Sequence, residues 1–385
     1  MHITRRRLLA LASGAAAWAA VAPGASALAE ADAAGSFDQF RALALRIARA
    51  NIVNGIPIPS QAYAQGTWMR DAYWSLPVLR DRGLQYRTWK RFATRQDQRT
   101  GQIPTALFSS DTIVSARDDE STALFVLLSL ELRRAGVPLD RAPIERAARY
   151  LRGKLNSQAR VLAGPGGYTW WLDTLILAQR DTVAYTQGVT AVALRSLAEL
   201  DVAVPDGLAE RAEAAYAGLY QPDLGAMPLS AATTLLDVSC LVGEHLSLRL
   251  FDRPLLADDV VGNVIHSFRQ VTFDDGAFLG FPVATQLDGS YMPESWFLPA
   301  PDNWPGHYHN GGSWFLYDAI ALDAARRHGV ADAQDLLVAR IAAETRQNNT
   351  LHEYIATDPS LADFGHAPFS WRGEYAWNSY VATIV

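Results

Sequence analysis

From about residue 36 onward, apolar residues return every three or four positions, with polar residues between them. That is the period of helices that each bury one face. The spacing predicts helices over 36–50, 68–82, 86–95, 120–135, 142–156, 183–200, 206–219, 232–243, 256–269, 313–328, 332–347 and 374–384. Three of them have the same predicted stop: "LRDRG" at Gly83, "LRRAG" at Gly136 and "ARRHG" at Gly329. Arginines in a last turn complement the helix dipole, and the glycine supplies a left-handed residue after it. Pro77, inside the second pattern, predicts a kink or a shifted start. Alternation of the strand type is scarce, and only "QVTFDDGAFLGFPV" (270–283) and the stretch after it predict one or two hairpins.

About twelve helices without a linker-like tract predict a single all-α domain over 28–385. The connections at 51–67, 96–118, 158–182, 270–312 and 348–373 are long and carry Trp, Tyr, His and Asn. Loops of that length and composition in a helical scaffold are functional more often than disordered, and they predict a cleft at one end.

Residues 1–27 are set apart: Arg5, Arg6 and Arg7, then an apolar run, then Ala25-Ser26-Ala27 as a small-residue cleavage site. The arginines before "LLAL" predict a twin-arginine export signal and a periplasmic or secreted protein; a general secretory signal or a single membrane anchor is the alternative. Its removal takes three arginines and no acid, moving the net charge from -6 to about -9. A chain so charged has no electrostatic attraction to nucleic acid or anionic lipid. After the signal no stretch is apolar for long enough to remain in a membrane. Cys240 is the single cysteine, lies in an apolar stretch and reads as a buried thiol. The sequence leaves the oligomeric state open.

Five constellations could carry chemistry. In "YAQGTWMRDAYW" (63–74), Trp68, Arg70 and Asp71 stand at a helix mouth. Together they offer a fork of donors, an acceptor and a flat apolar face suited to a sugar ring; a helix-start ion pair under an aromatic lid is the bland reading. Asp118, Asp119 and Glu120 precede an apolar helix, where acids serve either as caps or, lifted out of water, as a general acid. "GGYTWWLDT" (166–174) brings Trp170 and Trp171, which packing alone can explain, and Asp173 as another candidate acid.

The fourth constellation, "PDNWPGHYHNGGSWF" (301–315), holds Trp304, His307, His309, Asn310 and Trp314. No third ligand accompanies the histidines with metal spacing, and Asp274, Asp275 and Asp288 lack the alternation of a calcium loop, so neither a metal nor a cofactor is expected. A wall of a carbohydrate-binding cleft fits better. The fifth, 348–382, holds Glu353 on a loop, and Glu374 and Trp377 at the start of the last helix. A carboxylate here could activate water; for Glu374 a helix-start role is the stronger reading.

The order and spacing of these motifs resemble the six-hairpin, (α/α)6-barrel glycoside hydrolases. "WMRDAYWSLPVLRDRG" resembles the Arg-Asp helix opening of alkaline/neutral invertases and of glucoamylase-type and debranching-type glucosidases. "RDDESTALFVLLSLELRRAG" is similar to the acidic start of their next inner helix, although Asp-Ser-Gly is missing. "YHNGGSWF" and "HEYIATDP" followed by "AWNSY" resemble their later helix opening and penultimate loop. The resemblance implies an (α/α)6 toroid with long loops at one end, hydrolysing a short glycoside with two carboxyl groups, in the inverting manner. It implies Glu353 as the base. For the acid it implies Asp119 first, with Glu120 and Asp173 close behind, Asp173 matching the mid-chain placement of glucoamylase-like members. It makes Trp68, Arg70, Asp71, His309, Asn310 and Trp314 sugar-binding residues. An epimerase using His307 or His309, an unsaturated-uronide hydrolase, and a non-catalytic carbohydrate-binding protein are the alternatives.

Overall fold

A computed structural model describes residues 25–108, 113–114, 118–167, 169–272, 278–299, 303–345, 350–357 and 373–385. Its helices are α1 (Ala25–Ala50), α2 (Met69–Leu79), α3 (Arg82–Thr94), α4 (Ser121–Arg134), α5 (Arg141–Lys154) and α6 (Ala184–Glu199), then α7 (Leu208–Ala217), α8 (Val242–Phe251), α9 (Asp258–Val271), α10 (Phe315–Arg327) and α11 (Ala333–Thr345). A 3-10 turn at Val238–Leu241 leads into α8, and a longer 3-10 helix, Ala376–Thr383, closes the chain.

These elements alternate between two environments. Along α4, Ser121 to Leu130 are all buried, and along α10 so are Phe315 to Ala325. A helix apolar all round belongs inside a protein. By contrast α5 buries Pro143, Ile144, Ala147, Ala148 and Leu151, a single face at helical spacing. The contacts follow from this. α2 packs on α4, α4 on α6, α6 on α8, α8 on α10, α10 on the terminal 3-10 helix, and that helix back on α2. The even-numbered helices and the terminal helix thus close a ring, and the odd-numbered helices pack outside it. At one crossing, between α6 and α8, a Cβ on Gly243 would lie 2.5 Å from the Cα of Gly188, so only glycine permits this approach.

The strands are short. β1 (Ile52–Val53) pairs with β2 (Ile56–Pro57), and β3 (Gly66–Trp68), β4 (Ala106–Phe108) and β5 (Ile113–Val114) form an antiparallel sheet leading into α2. The hairpins expected from residue 270 are not what the described part forms. There, Pro282 and Thr285 make isolated bridges to Ser313 and Leu236, because this segment lies across helix mouths rather than beside another strand.

Gly136 and Gly329 take the predicted left-handed conformation, with φ of 78° and 69°. Gly83 does not stop a helix. Pro77 cannot donate in the last turn of α2, which ends at Leu79 on a left-handed Arg80; Asp81 then caps α3 by accepting from Leu84 N–H at 2.8 Å. The segment expected as helix over 232–243 becomes a loop and a 3-10 turn, Asp237 accepting from Ser239 N–H at 3.1 Å. α1 begins at Ala25, earlier than the expected 36. Residues 1–24 of the expected signal lie outside the described residues, as do Asp274 and Asp275. Among the described residues no helix is long and apolar enough to cross a membrane.

Candidate active site

The N-terminal ends of α2 and α4 and the loops before α6, α10 and the terminal helix enclose a cavity of about 280 Å³. That is near the lower end of the roughly 300–1,000 Å³ usual for small-molecule sites. β3 runs straight into α2, which puts Trp68 at the rim and Arg70 and Asp71 in the first turn. The sheet behind them adds Thr105, Phe108 and Val114.

The three consecutive acids before α4 divide their work. Asp118 caps the helix, accepting from Glu120 N–H at 2.6 Å and Ser121 N–H at 3.0 Å, and its side chain reaches the cavity. Glu120 also faces the cavity and accepts from Arg70 Nη1 at 2.7 Å. Asp119 points the other way, into a separate cavity where it pairs with Lys154. The expectation that Asp119 faces Glu353 is therefore corrected: adjacent side chains at a helix cap diverge, and Glu120 takes the inward place.

The loop before α6 contributes Trp170 and Asp173. Asp173 keeps 34% side-chain exposure and stands 3.8 Å from His309 Nδ1. Glu353, also on the cavity wall, is buried and accepts from the Tyr63 hydroxyl at 3.2 Å. Tyr308 and Tyr375 complete the wall with Pro59.

Burial shifts several of these carboxyl groups upward. Glu120 rises to about 8, pushed by desolvation and by Asp118 and held back by the Arg70 guanidinium. Asp173 rises to about 6 for the same first reason, again opposed by Arg70. Asp71 also rises to about 6 by desolvation against Arg70. Near neutral pH the cavity therefore holds carboxyl groups able to carry a proton, beside a fixed guanidinium.

Some polar atoms here are buried without a hydrogen-bond partner among the described residues: Arg70 Nε, Asp71 Oδ1, Glu120 Oε2 and Trp170 Nε1. These donors and acceptors belong to residues of one cavity wall, with the Tyr185 and Tyr375 hydroxyls near Glu120 and Asp71.

The histidine-rich stretch before α10 serves a different purpose from the expected one. Among its described residues only Tyr308 lines the cavity. His309 Nδ1 lies 2.8 Å from Thr174 Oγ1, and its ring stacks on both Tyr308 and Trp314, which also touch each other. Desolvation pushes its pKa well down, so it stays neutral. Asn310 clamps Met292, accepting from its N–H at 3.0 Å and donating to its carbonyl at 2.9 Å. Trp314 donates to the Tyr308 carbonyl at 3.1 Å. These three support the wall from behind. His307 and Trp304 stack edge to face away from it, Trp304 being 55% exposed. Glu374 pairs with Arg46 at 3.1 Å on the outside, and Trp377 lies beneath the Arg70 guanidinium at 5.4 Å.

Tyr63, Phe108, Tyr308 and Tyr375 were not singled out by the sequence. Each is one aromatic among many in the long loops, and pairing with Glu353 spans 290 residues in the case of Tyr63.

No protein-family model matches the sequence, and no curated protein matches it. Solved structures do. The GH63 mannosylglycerate hydrolase from Thermus thermophilus, in complex with glucose, has a TM-score of 0.64 at 12% identity over 90% of this chain and 99% of that one. An uncharacterized conserved protein from the same organism gives 0.63 at 12% identity, with 90% and 99% covered. A protein described as a wild-type glycosidase gives 0.62 at 16% identity, with 92% and 96% covered. At these identities the likeness establishes the fold, a helical architecture that glycoside hydrolases also use.

Proposed function

We propose that this chain is a glycoside hydrolase on an (α/α)6 toroid, cleaving a short glycoside with Asp173 as general acid and Glu353 as general base. The observation that carries the reading is the cavity itself: two carboxyl-bearing loops, an Arg70–Glu120 pair and buried donors and acceptors meet in a space suited to one or two sugar rings. Glu120 is occupied by Arg70, Asp119 lies in another cavity and Asp71 is buried beside Arg70, which leaves the half-buried Asp173, with its raised pKa, as the acid. In the reaction Asp173 gives its proton to the departing oxygen as the C–O bond breaks. A water attacks the sugar carbon from the opposite side and loses its proton to Glu353. Inverting enzymes hold such carboxyls about 6.5–9.5 Å apart to admit the water.

The neighbours, a mannosylglycerate hydrolase and a glycosidase also known with glucose bound, support a manno- or gluco-configured sugar on a small aglycone. An epimerase using His307 or His309 is disfavoured because neither ring lines the cavity, His309 being buried behind its wall. The reading includes export through residues 1–27 to the periplasm or medium. The test is hydrolysis of glucosyl- and mannosyl-glycerates and of aryl glycosides, with the anomer of the first product followed by NMR. Asp173→Asn and Glu353→Gln should each lower kcat by about 10²–10⁴; full activity in either variant would refute its assigned role.

A further inference from the structure

We propose that Asn378 and Glu344 are positioning residues that fix the Glu353 carboxylate at the cavity through the peptide groups of His352; this rests on the reading of Glu353 as the base. Glu353 lies in the segment 350–357, which forms neither helix nor ladder and is held to the rest of the chain by single backbone contacts: the Ser313–Ile355 bridge, Thr357 N–H to the Gly306 carbonyl and Tyr375 N–H to the Leu351 carbonyl. A base in such a segment needs outside support.

Asn378 Nδ2 donates to the carbonyl of His352, which belongs to the planar peptide that begins Glu353. The same amide accepts from Leu316 N–H at 3.1 Å, tying that peptide to the first turn of α10. On the other side, His352 N–H donates to Glu344 Oε1 at 2.5 Å. Glu344 Oε2 accepts from Arg340 Nη1 at 2.9 Å, and Arg340 Nε donates to Asp318 Oδ2 at 2.8 Å. Asp318 also lies in the first turn of α10 and accepts from Ser313 Oγ at 2.7 Å. One helix end therefore holds both faces of His352.

Asp318, Arg340, Glu344 and Asn378 are all 0% exposed. Buried ion pairs seldom out-stabilise apolar side chains of the same size, so stability alone does not account for two acids and a guanidinium here. Directional restraint does. The packing leaves no slack: a Cβ on Gly280 would come 2.0 Å from Ser313 Oγ and 2.2 Å from Asp318 Oδ2.

The test compares Asn378→Ala, Glu344→Ala and Glu344→Gln with Glu353→Gln, each checked for folding by thermal melting and for sugar binding by calorimetry. Misplacing a catalytic group by about 1 Å can cost roughly 10²-fold, so Asn378→Ala and Glu344→Ala should lose about that factor in kcat while KM stays within about threefold. Glu344→Gln keeps an acceptor for His352 N–H and should recover to within about tenfold of the parent. Should Asn378→Ala not fold, Asn378→Asp carries the same test, since it keeps the shape and turns the donor into an acceptor. Unchanged kcat in folded Asn378 variants beside an inactive Glu353→Gln overturns the positioning role alone. Full activity of Glu353→Gln overturns the base assignment itself.

Discussion

Arg70 donates to Glu120 at 2.7 Å while its guanidinium lies 5.4 Å over the ring of Trp377. The pair joins two inner helices at the mouth of the cavity and is nearly out of water, at 13% and 2% side-chain exposure. Removing Arg70 leaves the buried Glu120 carboxyl without its donor, and removing Glu120 leaves the guanidinium desolvated without its acceptor. Arg70→Met should therefore cost about 3 kcal/mol in chemical unfolding, whereas Arg70→Met with Glu120→Met should regain most of it. Both variants should lose sugar affinity, so stability and binding separate across the cycle.

Tyr63 reaches Glu353 from a short 3-10 turn, its hydroxyl 3.2 Å from Oε1. A hydrogen bond to a charged group contributes about 1.5–3 kcal/mol. Tyr63→Phe should lower kcat by roughly tenfold or more, read by steady-state kinetics on an aryl glycoside, and lower the melting temperature as well.

The helices were legible because apolar residues recur at helical spacing, whereas their division into inner and outer shows only in the burial, continuous in α4 and α10 and one-faced in α5. Arg70 and Asp71 were legible as a charged pair at a helix mouth, and the structure places both on the cavity wall. The direction of a side chain at a cap was not legible. Asp118, Asp119 and Glu120 differ by one residue each, and only the backbone turn sends Asp119 to Lys154 and Glu120 to Arg70. The stretch around His309 and Asn310 misled for a related reason. Aromatic and amide groups that support a wall have the same composition as groups that form one. The support of Glu353 by Asn378 and Glu344 depends on long-range hydrogen bonds, which periodicity does not record.

Burial and Asp118 raise Asp173 to about 6, against Arg70. A general acid works while protonated, so kcat/KM for alkyl glycosides should fall as pH rises through about 6. A dinitrophenyl glycoside, whose leaving group needs no proton, should lack that alkaline limb. Asp173→Asn should accordingly lose far more activity on the alkyl than on the dinitrophenyl substrate, and equal losses would remove Asp173 from the acid role.

His328 sits at the end of α10, 2.8 Å from Glu244 and 2.7 Å from Asp258, and these hydrogen bonds raise its pKa. A base with a raised folded-state pKa adds stability that is full below its unfolded value, about 6.5, and is lost as pH rises through the folded one. Urea unfolding should show a decline in stability beginning near pH 6.5. His328→Gln should flatten that part of the profile, and an unchanged slope would assign it to other groups.

A close backbone contact in the ring lies between α6 and α8, where Gly188 meets Gly243 with Tyr216 beside them. A Cβ at position 243 would stand 2.5 Å from Gly188 Cα and 3.2 Å from the Tyr216 ring. Backbone cannot yield as a flexible side chain does, so the two helices must separate. Overpacking of this kind typically costs about 1–3 kcal/mol. Gly243→Ala should lose that much in urea unfolding even though alanine is the better helix former, by about 1 kcal/mol at an unconstrained site. Gly262, on outer helix α9, has open space where a Cβ would go, with nothing within 4 Å, and serves as the control. Gly262→Ala should leave stability unchanged or raise it, so that the sign of the difference between the two alanines reads out the helix contact rather than the propensity.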